Sequence, residues 1–237
     1  MDGIFRRVEK KYIINKKEYE IIMKKIREYV VQDEYGKSTI CNIYMDTDNY
    51  DLISHSITKP FFKDKVRLRS YNTPTKNSTV YLEIKRKVDG VVGKRRIAMK
   101  LNDFDNYIDK YDVIIADNNQ IISELEYYFN MYNLSKKMYI SYEREAYYQK
   151  DNSDFRVTFD SNIKARTYSL NLDKGAYGQN ILAPDKYIME VKTLGAMPLW
   201  FVKILNECKI MPCGFSKYGE AYTQLVLHAN NYEKCVV

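Results

Sequence analysis

In several segments of this chain, charged residues recur at every second position with apolar residues between them. Arg67 and Arg69 stand in VRLRSY, Glu83, Lys85 and Lys87 in YLEIKRK, Arg156 and Asp160 in FRVTFD, and Glu190 and Lys192 in IMEVK. Residues i and i+2 share one face of a strand. Each segment would therefore set a charged face against an apolar one, formed by Val66 and Leu68, Leu82 and Ile84, Val157 and Phe159, or Met189 and Val191. A single segment of this kind is an ordinary solvated salt-bridge face. Four or more of them, mostly basic with a few carboxylates, point to a sheet whose charged face receives a polyanion. Arg67 and Arg69 supply planar forks suited to bidentate phosphate binding. Lys11, Lys85 and Lys192 supply compact point charges along a phosphate chain. Glu83 and Glu190 each precede a lysine by two residues, and could hold a hard cation such as Mn²⁺ or Mg²⁺ beside phosphate oxygens.

The elements that must position these side chains are eight strands, near residues 5–14, 39–46, 63–71, 79–87, 91–99, 139–147, 154–161 and 186–192, with about five helices. Asn15 followed by Glu18 reads as a capping box. Tyr19, Ile22, Met23, Ile26 and Tyr29 then keep the helical period, with Gly36 marking the exit. Asn102 would cap a short helix to Tyr107, and a longer helix runs from Asn118 to about Tyr132. Pro198 sits in a first helical turn, and Ser216 caps the last helix. The stretch from Arg166 to Pro184, with Gly175 and Gly178, has no clear period. No linker or internal repeat divides the chain, so one domain over 1–237 is expected. Apolar faces turned away from the charged ones require helices outside. The expected fold is α+β, a closed antiparallel β-barrel tunnel of about eight strands with helices packed around it.

The net charge of +7 favours an anionic partner without naming it. Its 38 basic residues are interleaved with 31 acidic ones, which argues against a disordered nucleic-acid arm. The 23 tyrosines follow strand propensity rather than the spacing of an RNA-recognition motif. Cys41, Cys208, Cys213 and Cys235 lack zinc or disulfide spacing, and His55 and His228 have no ligand spacing. The charged start MDGIFRRVEKKY excludes a signal peptide there, and no run reaches the roughly 20 apolar residues of a membrane span. A reduced, cytoplasmic location is expected, with neither nucleic acid nor a membrane span. Asp46 and Asp48 read as a strand-end turn.

RRVEKKYII at 6–14, NIYMDT at 42–47, VRLRSY at 66–71, YLEIKRKVDGVVGKRR at 81–96, YEREAY at 142–147, RVTFD at 156–160, IMEVK at 188–192 and FSKYGEA at 215–221 resemble, in order and spacing, the VTC domain. That family includes the polyphosphate polymerase domain of the vacuolar transporter chaperone complex and belongs to the triphosphate tunnel metalloenzymes. The resemblance implies a tunnel that binds ATP or polyphosphate with Mn²⁺ or Mg²⁺. It assigns catalytic roles to Lys11, Arg67, Arg69, Lys85, Arg144 and Lys217, and metal binding to Glu190. Lys94 and Arg96 match a further basic strand. Glu9, Glu83, Arg156, Asp160 and Lys192 join them as lining residues that bind substrate.

Two departures refine the expectation. Triphosphatases and cyclases of the wider superfamily carry E-x-E-x-K on the first strand, whereas here Arg7 stands at the first glutamate position. That favours a polymerase over a hydrolase. The chain also starts directly at this domain, so control through an SPX domain or membrane segments is not expected. The expected activity is transfer of the γ-phosphate of ATP onto a growing polyphosphate chain. A tripolyphosphatase or nucleoside triphosphatase of the same fold, or a non-catalytic polyphosphate-binding module, are the alternatives.

Overall fold

A computed structural model describes residues 7–89, 91–110, 119–150 and 152–228. The expected strand start at Phe5 and Arg6, the helix start at Asn118, and Cys235 lie outside the described residues. The chain divides into two compact units. The first gathers residues up to Ser38 with Tyr142–Ile163 and Leu182–Phe215; the second gathers Thr39–Ser141, Lys164–Ile181 and the residues from Ser216 onward.

The first unit contains β1 (Arg7–Asn15), α1 (Lys16–Ile26) and the opening part of β2 (Val30–Asp46). The expected capping box is present: Asn15 Oδ1 accepts from Glu18 N at 2.9 Å, and Glu18 Oε2 accepts from Asn15 N at 2.7 Å. Gly36 does not end this helix. It lies inside β2 with φ of +57°, a conformation that favours glycine over residues carrying a Cβ.

The second unit continues with α2 (Asp51–Ile57), β3 (Phe62–Tyr71), β4 (Thr79–Val88), β5 (Val91–Lys100), α3 (Leu101–Lys110) and α4 (Asn119–Tyr132). Two long strands, β6 (Ser135–Gln149) and β7 (Asn152–Arg166), carry residues of both units. The two-residue β8 (Gln179–Asn180) follows and pairs with β7. The first unit resumes with β9 (Lys186–Leu194) and α5 (Leu199–Glu207), and α6 (Lys217–Tyr222) closes the order, continued by a π-helical turn over Thr223–Leu227. Pro198 is the residue before α5 rather than a member of its first turn.

The sheet runs β1-β9-β7-β6-β2-β3-β4-β5, and each pair whose register is described is antiparallel. Among the described residues no pairing joins β1 to β5, so the hydrogen-bonded ladder is an open path rather than a closed ring. The predicted alternation holds on both units. In the first, Tyr12, Ile14, Val157, Phe159, Met189 and Val191 form one core with Ile22 and Ile26 of α1 and Phe201, Ile204 and Leu205 of α5. In the second, Val66, Leu68, Leu82, Ile84, Ile97 and Met99 pack with Phe104 of α3 and Leu125 and Phe129 of α4. Burial of these side chains, each contributing about 1.5–3 kcal/mol, turns the interleaved charged residues to the opposite face.

The unreadable stretch after β7 is organised by Arg166, which is 1% exposed. Its guanidinium lies over the rings of Tyr139 and Tyr177, 3.5 and 4.0 Å from their centroids, and donates to the carbonyls of Ser169, Gly175, Tyr177 and Asn171. Gly178 lies against β7: a Cβ there would stand 2.4 Å from the Ala165 carbonyl oxygen, so no larger residue fits.

Candidate functional site

The charged face of the first unit is assembled by strand register. Lys11 of β1 stands opposite Glu190 of β9, and Glu9 stands opposite Lys192. On the other side of β9, Thr158 faces Glu190 and Arg156 faces Lys192. Lys192 Nζ is 2.6 Å from Glu190 and 3.9 Å from Glu9, while Lys11 Nζ is 3.6 Å from Glu9 and donates to the Phe215 carbonyl at 3.2 Å. Burial alone would push the Glu190 carboxyl up, but Lys192, Lys11 and Arg144 outweigh it and hold the group well below the usual carboxylate range. Glu190 is therefore an ionised donor at any ordinary pH.

Arg144 is partly buried against Asp160, with Nε and Nη2 forked onto the two carboxylate oxygens at 2.6 and 2.7 Å. Burial opposes its charge, but Asp160 keeps it fully cationic. Asp160, expected as a lining residue, thus orients Arg144. Arg156 lies 3.8 Å from Asp33 and 4.9 Å from the Tyr148 ring centroid.

The charged face of the second unit has a different balance. Arg67 donates through Nε to Glu83 at 2.8 Å and through Nη1 to the Tyr44 hydroxyl at 3.3 Å. Arg69 donates to Asn42 Oδ1 at 3.0 Å, and Lys94 Nζ lies 2.6 Å from the other Glu83 oxygen. Glu83 is 1% exposed. Burial would raise its carboxyl, yet Arg67, Arg69 and Lys94 bring it down to about 2. For Lys94, burial and the two arginines prevail over the pull of Glu83, so the ammonium is held below the ordinary lysine value. Arg96 stands opposite Glu83 with its guanidinium 4.8 Å from the Tyr81 ring centroid.

One transverse row on this face consists entirely of lysines. Lys65, Lys85 and Lys94 are direct cross-strand neighbours on β3, β4 and β5. Like charges placed opposite one another are destabilising, and a bound polyanion removes that penalty. Lys65 Nζ donates to Ser216 Oγ at 2.8 Å; Ser216 in turn accepts from Gly219 N as the cap of α6, whose first residue is Lys217.

Each expected site residue thus falls on one of two charged faces or at the start of α6. Lys11, Glu9, Arg144, Arg156, Asp160, Glu190 and Lys192 belong to the first unit. Arg67, Arg69, Glu83, Lys85, Lys94, Arg96 and Lys217 belong to the second. Sequence reasoning missed Lys65, although it continues the Arg67, Arg69 alternation, and missed Thr158, which carries no charge to mark it. Asp46 is buried at the end of β2 and accepts from the Thr47, Leu52 and Ile53 amides and from the Tyr218 hydroxyl. That makes it a structural turn residue, as expected.

A divalent cation finds a suitable but incomplete donor set here. Among the described residues no three acidic, histidine or cysteine side chains converge. Beside Glu190, however, the Thr158 hydroxyl is buried without a hydrogen-bond partner. One or two carboxylates completed by substrate phosphates and water is a common magnesium arrangement, and Glu190 with Glu9 nearby fits it.

Residues 6–226 match the VTC domain family. No curated protein matches the chain. Among solved structures, a candidate adenylate cyclase from Bacillus halodurans is similar at 12% identity and a TM-score of 0.55, over 89% of this chain and 94% of that one. A candidate adenylyl cyclase from Hippeastrum, described as having a dominant triphosphatase activity, matches at 13% identity and a TM-score of 0.49, over 90% and 93%. A candidate adenylate cyclase from Vibrio parahaemolyticus matches at 11% identity and 0.47, over 91% and 97%. At such identities the likeness to the Bacillus protein is one of fold. The family match spans nearly the whole sequence, and the chain belongs to the VTC domain family.

Proposed function

We propose that this protein is an ATP-dependent polyphosphate polymerase whose antiparallel sheet forms a tunnel. The observation that carries this reading is the lysine row Lys65–Lys85–Lys94 beside the Arg67, Arg69 pair, an array of cations in which Glu83 is shared by Arg67, Arg69 and Lys94. Phosphoryl transfer needs little covalent help from protein; positioning and charge neutralisation supply most of the acceleration.

In this reading Arg67, Arg69, Lys85 and Arg144 bind the triphosphate, with Lys94, Arg96, Arg156 and Lys192 along the chain. Glu83, Glu9 and Asp160 hold these cations in place. Glu190 is the metal ligand, and Mn²⁺ or Mg²⁺ bound there would neutralise charge on substrate phosphate oxygens. Lys11 and Lys217 orient the acceptor. A terminal phosphate oxygen of the polyphosphate chain attacks the γ-phosphorus, a new P–O bond forms, the bond to the β–γ bridging oxygen breaks, and ADP leaves with that oxygen. No protein nucleophile is required.

Hydrolysis in the same site, with water as the acceptor, is the second reading. Incubation with ATP, Mn²⁺ and a short polyphosphate primer separates the two. Long-chain polyphosphate with matching ADP supports the polymerase; free phosphate alone overturns it in favour of a triphosphatase. Neither product, with tripolyphosphate still bound, leaves a polyphosphate-binding module.

A further inference from the structure

One end of the β3–β4–β5 sheet carries an apolar surface that the core does not absorb. Phe62, Val88 and Val91 are direct cross-strand neighbours. They lie on the same face as Val66, Ile84 and Ile97, which α3 and α4 help to cover, yet they are 46, 38 and 65% exposed. Phe61, which precedes β3, is 71% exposed, and its carbonyl accepts from the Asp89 amide. Behind Val88 and Val91 lies a recess of about 330 Å³, with Arg86 and Arg95 in its lining. Exposed apolar side chains are ordinary when scattered, but a contiguous row of them marks an interaction surface.

The charges around this end select its partner. On the opposite face of the same strand ends, Lys63 stands directly across from Lys87. Exposed Lys59 lies in the turn before β3. The acids nearby are largely committed: Asp64 is buried and forked by Arg86, and Glu124 is 2.9 Å from Arg95. Asp89 is the exception. We propose that this strand end docks on an anionic lipid surface, with Phe61, Phe62 and Val91 entering the headgroup boundary and Lys59, Lys63 and Lys87 pairing with acidic headgroups. Cations alone would serve a free polyanion equally well; the apolar row would not. A second copy is a poorer occupant, because a symmetric tip-to-tip contact would set the lysines of one copy against those of the other. The site involves none of the transfer chemistry and stands whether the enzyme is a polymerase or a hydrolase.

The test is sedimentation of the full chain with phosphatidylcholine vesicles and with vesicles containing about 30% phosphatidylserine, at roughly physiological ionic strength. The expected result is binding to the anionic vesicles, weakened by added salt, with little binding to the neutral ones. F62S/V91S, both at exposed positions, should abolish most of it while the thermal midpoint and ATP turnover stay at the parent values. K59E, a second variant outside the apolar row, should weaken it about 25-fold, reflecting roughly fivefold for each of the two units of charge it changes. Equal binding to both vesicles, binding to neither, or unchanged binding by F62S/V91S would each overturn the proposal. So would a dimer in light scattering that F62S/V91S dissolves.

Discussion

On β1, β9, β7 and β6 the cations have carboxylates close at hand. Lys11 stands across from Glu190, Lys192 lies 2.6 Å from it, Arg144 is forked onto Asp160, and Arg156 reaches toward Asp33. On β3, β4 and β5 the Glu83 carboxylate is shared by Arg67, Arg69 and Lys94, and Lys65, Lys85 and Lys94 stand directly opposite one another across the ladder. Both faces arise from the same device, an alternating strand with its apolar side under helices. They differ in what each lacks. The first face is close to neutral and offers an ionised carboxylate beside an unpartnered buried hydroxyl, which suits a cation. The second carries a standing excess of positive charge, which suits an anion.

The comparison breaks most sharply at Glu190. E190Q keeps the shape and the neighbours but removes the donor charge. Metal-dependent turnover should fall at least about 100-fold, or roughly 2.7 kcal/mol in barrier, while tripolyphosphate still binds. Titration calorimetry and steady-state rates with Mn²⁺ check both halves. Turnover within about twofold of the parent would mean that Glu190 is only a salt-bridge partner and that the two faces do not divide the work.

Glu83 should behave differently, as a matter of stability. E83Q leaves Arg67 and Arg69 without their shared anion, and breaking such a buried pair costs about 3 kcal/mol, or roughly 6–12 °C in Tm. The acid limb of the stability curve should change with it. A carboxylate held at about 2 in the folded protein, against an ordinary 4.5, stabilises the fold above pH 4.5 and loses that contribution as pH falls toward 2. E83Q should therefore be less stable than the parent at neutral pH and converge on it in acid. A constant difference down to the acid end would assign the loss to packing instead of charge.

If the lysine row is strained by its own charge, polyanions should relieve it. Tripolyphosphate at about 100 times its dissociation constant adds roughly 2.7 kcal/mol to a native state that alone binds it. Sulfate at matched ionic strength should add far less. The gain should be larger in E83Q, where the excess charge is greater, than in E190Q. Equal shifts for the two anions would remove the case for a specific polyphosphate face.

These faces were legible in the sequence because a strand's two-residue period is local: Arg67 and Arg69, or Glu190 and Lys192, announce a shared face without knowledge of any partner. Register is not local, and the sequence could not say that Lys65, Lys85 and Lys94 form one row or that Thr158 lies beside Glu190. Nor could it say that Asp160 is forked by Arg144, since that pair spans two strands. The helix start at Asn15 was readable because both halves of its capping box lie within four residues. The segment ordered by Arg166 was not, because its order comes from one buried guanidinium collecting carbonyls of residues with no period of their own. Closure of the sheet was expected, but the ladder described here runs from β1 to β5 without a pairing that joins its ends.

Lys217 gives the smallest expected effect and the finest test, because it asks which acceptor the anion-binding face serves. It opens α6 directly after Ser216, and Ser216 Oγ accepts from Lys65 at the edge of the lysine row. In the proposed reaction, an ammonium at that place would steady the end of a second phosphate chain without touching a triphosphate bound by Arg67 and Arg69. K217A should then leave ATP affinity within about twofold and lower polyphosphate formation several-fold, shifting the remaining ATP consumption toward free phosphate because water replaces the missing acceptor. The ratio of polyphosphate to free phosphate at equal ATP consumption is the quantity to measure, since a merely slower enzyme leaves it unchanged. S216A sharpens the result: it withdraws the hydroxyl that holds Lys65 and caps α6, so it should move the same ratio in the same direction to a smaller extent. If K217A and S216A alter rate and ratio independently of each other, the α6 start is not an acceptor site, and the cationic face of the second unit binds only the donor.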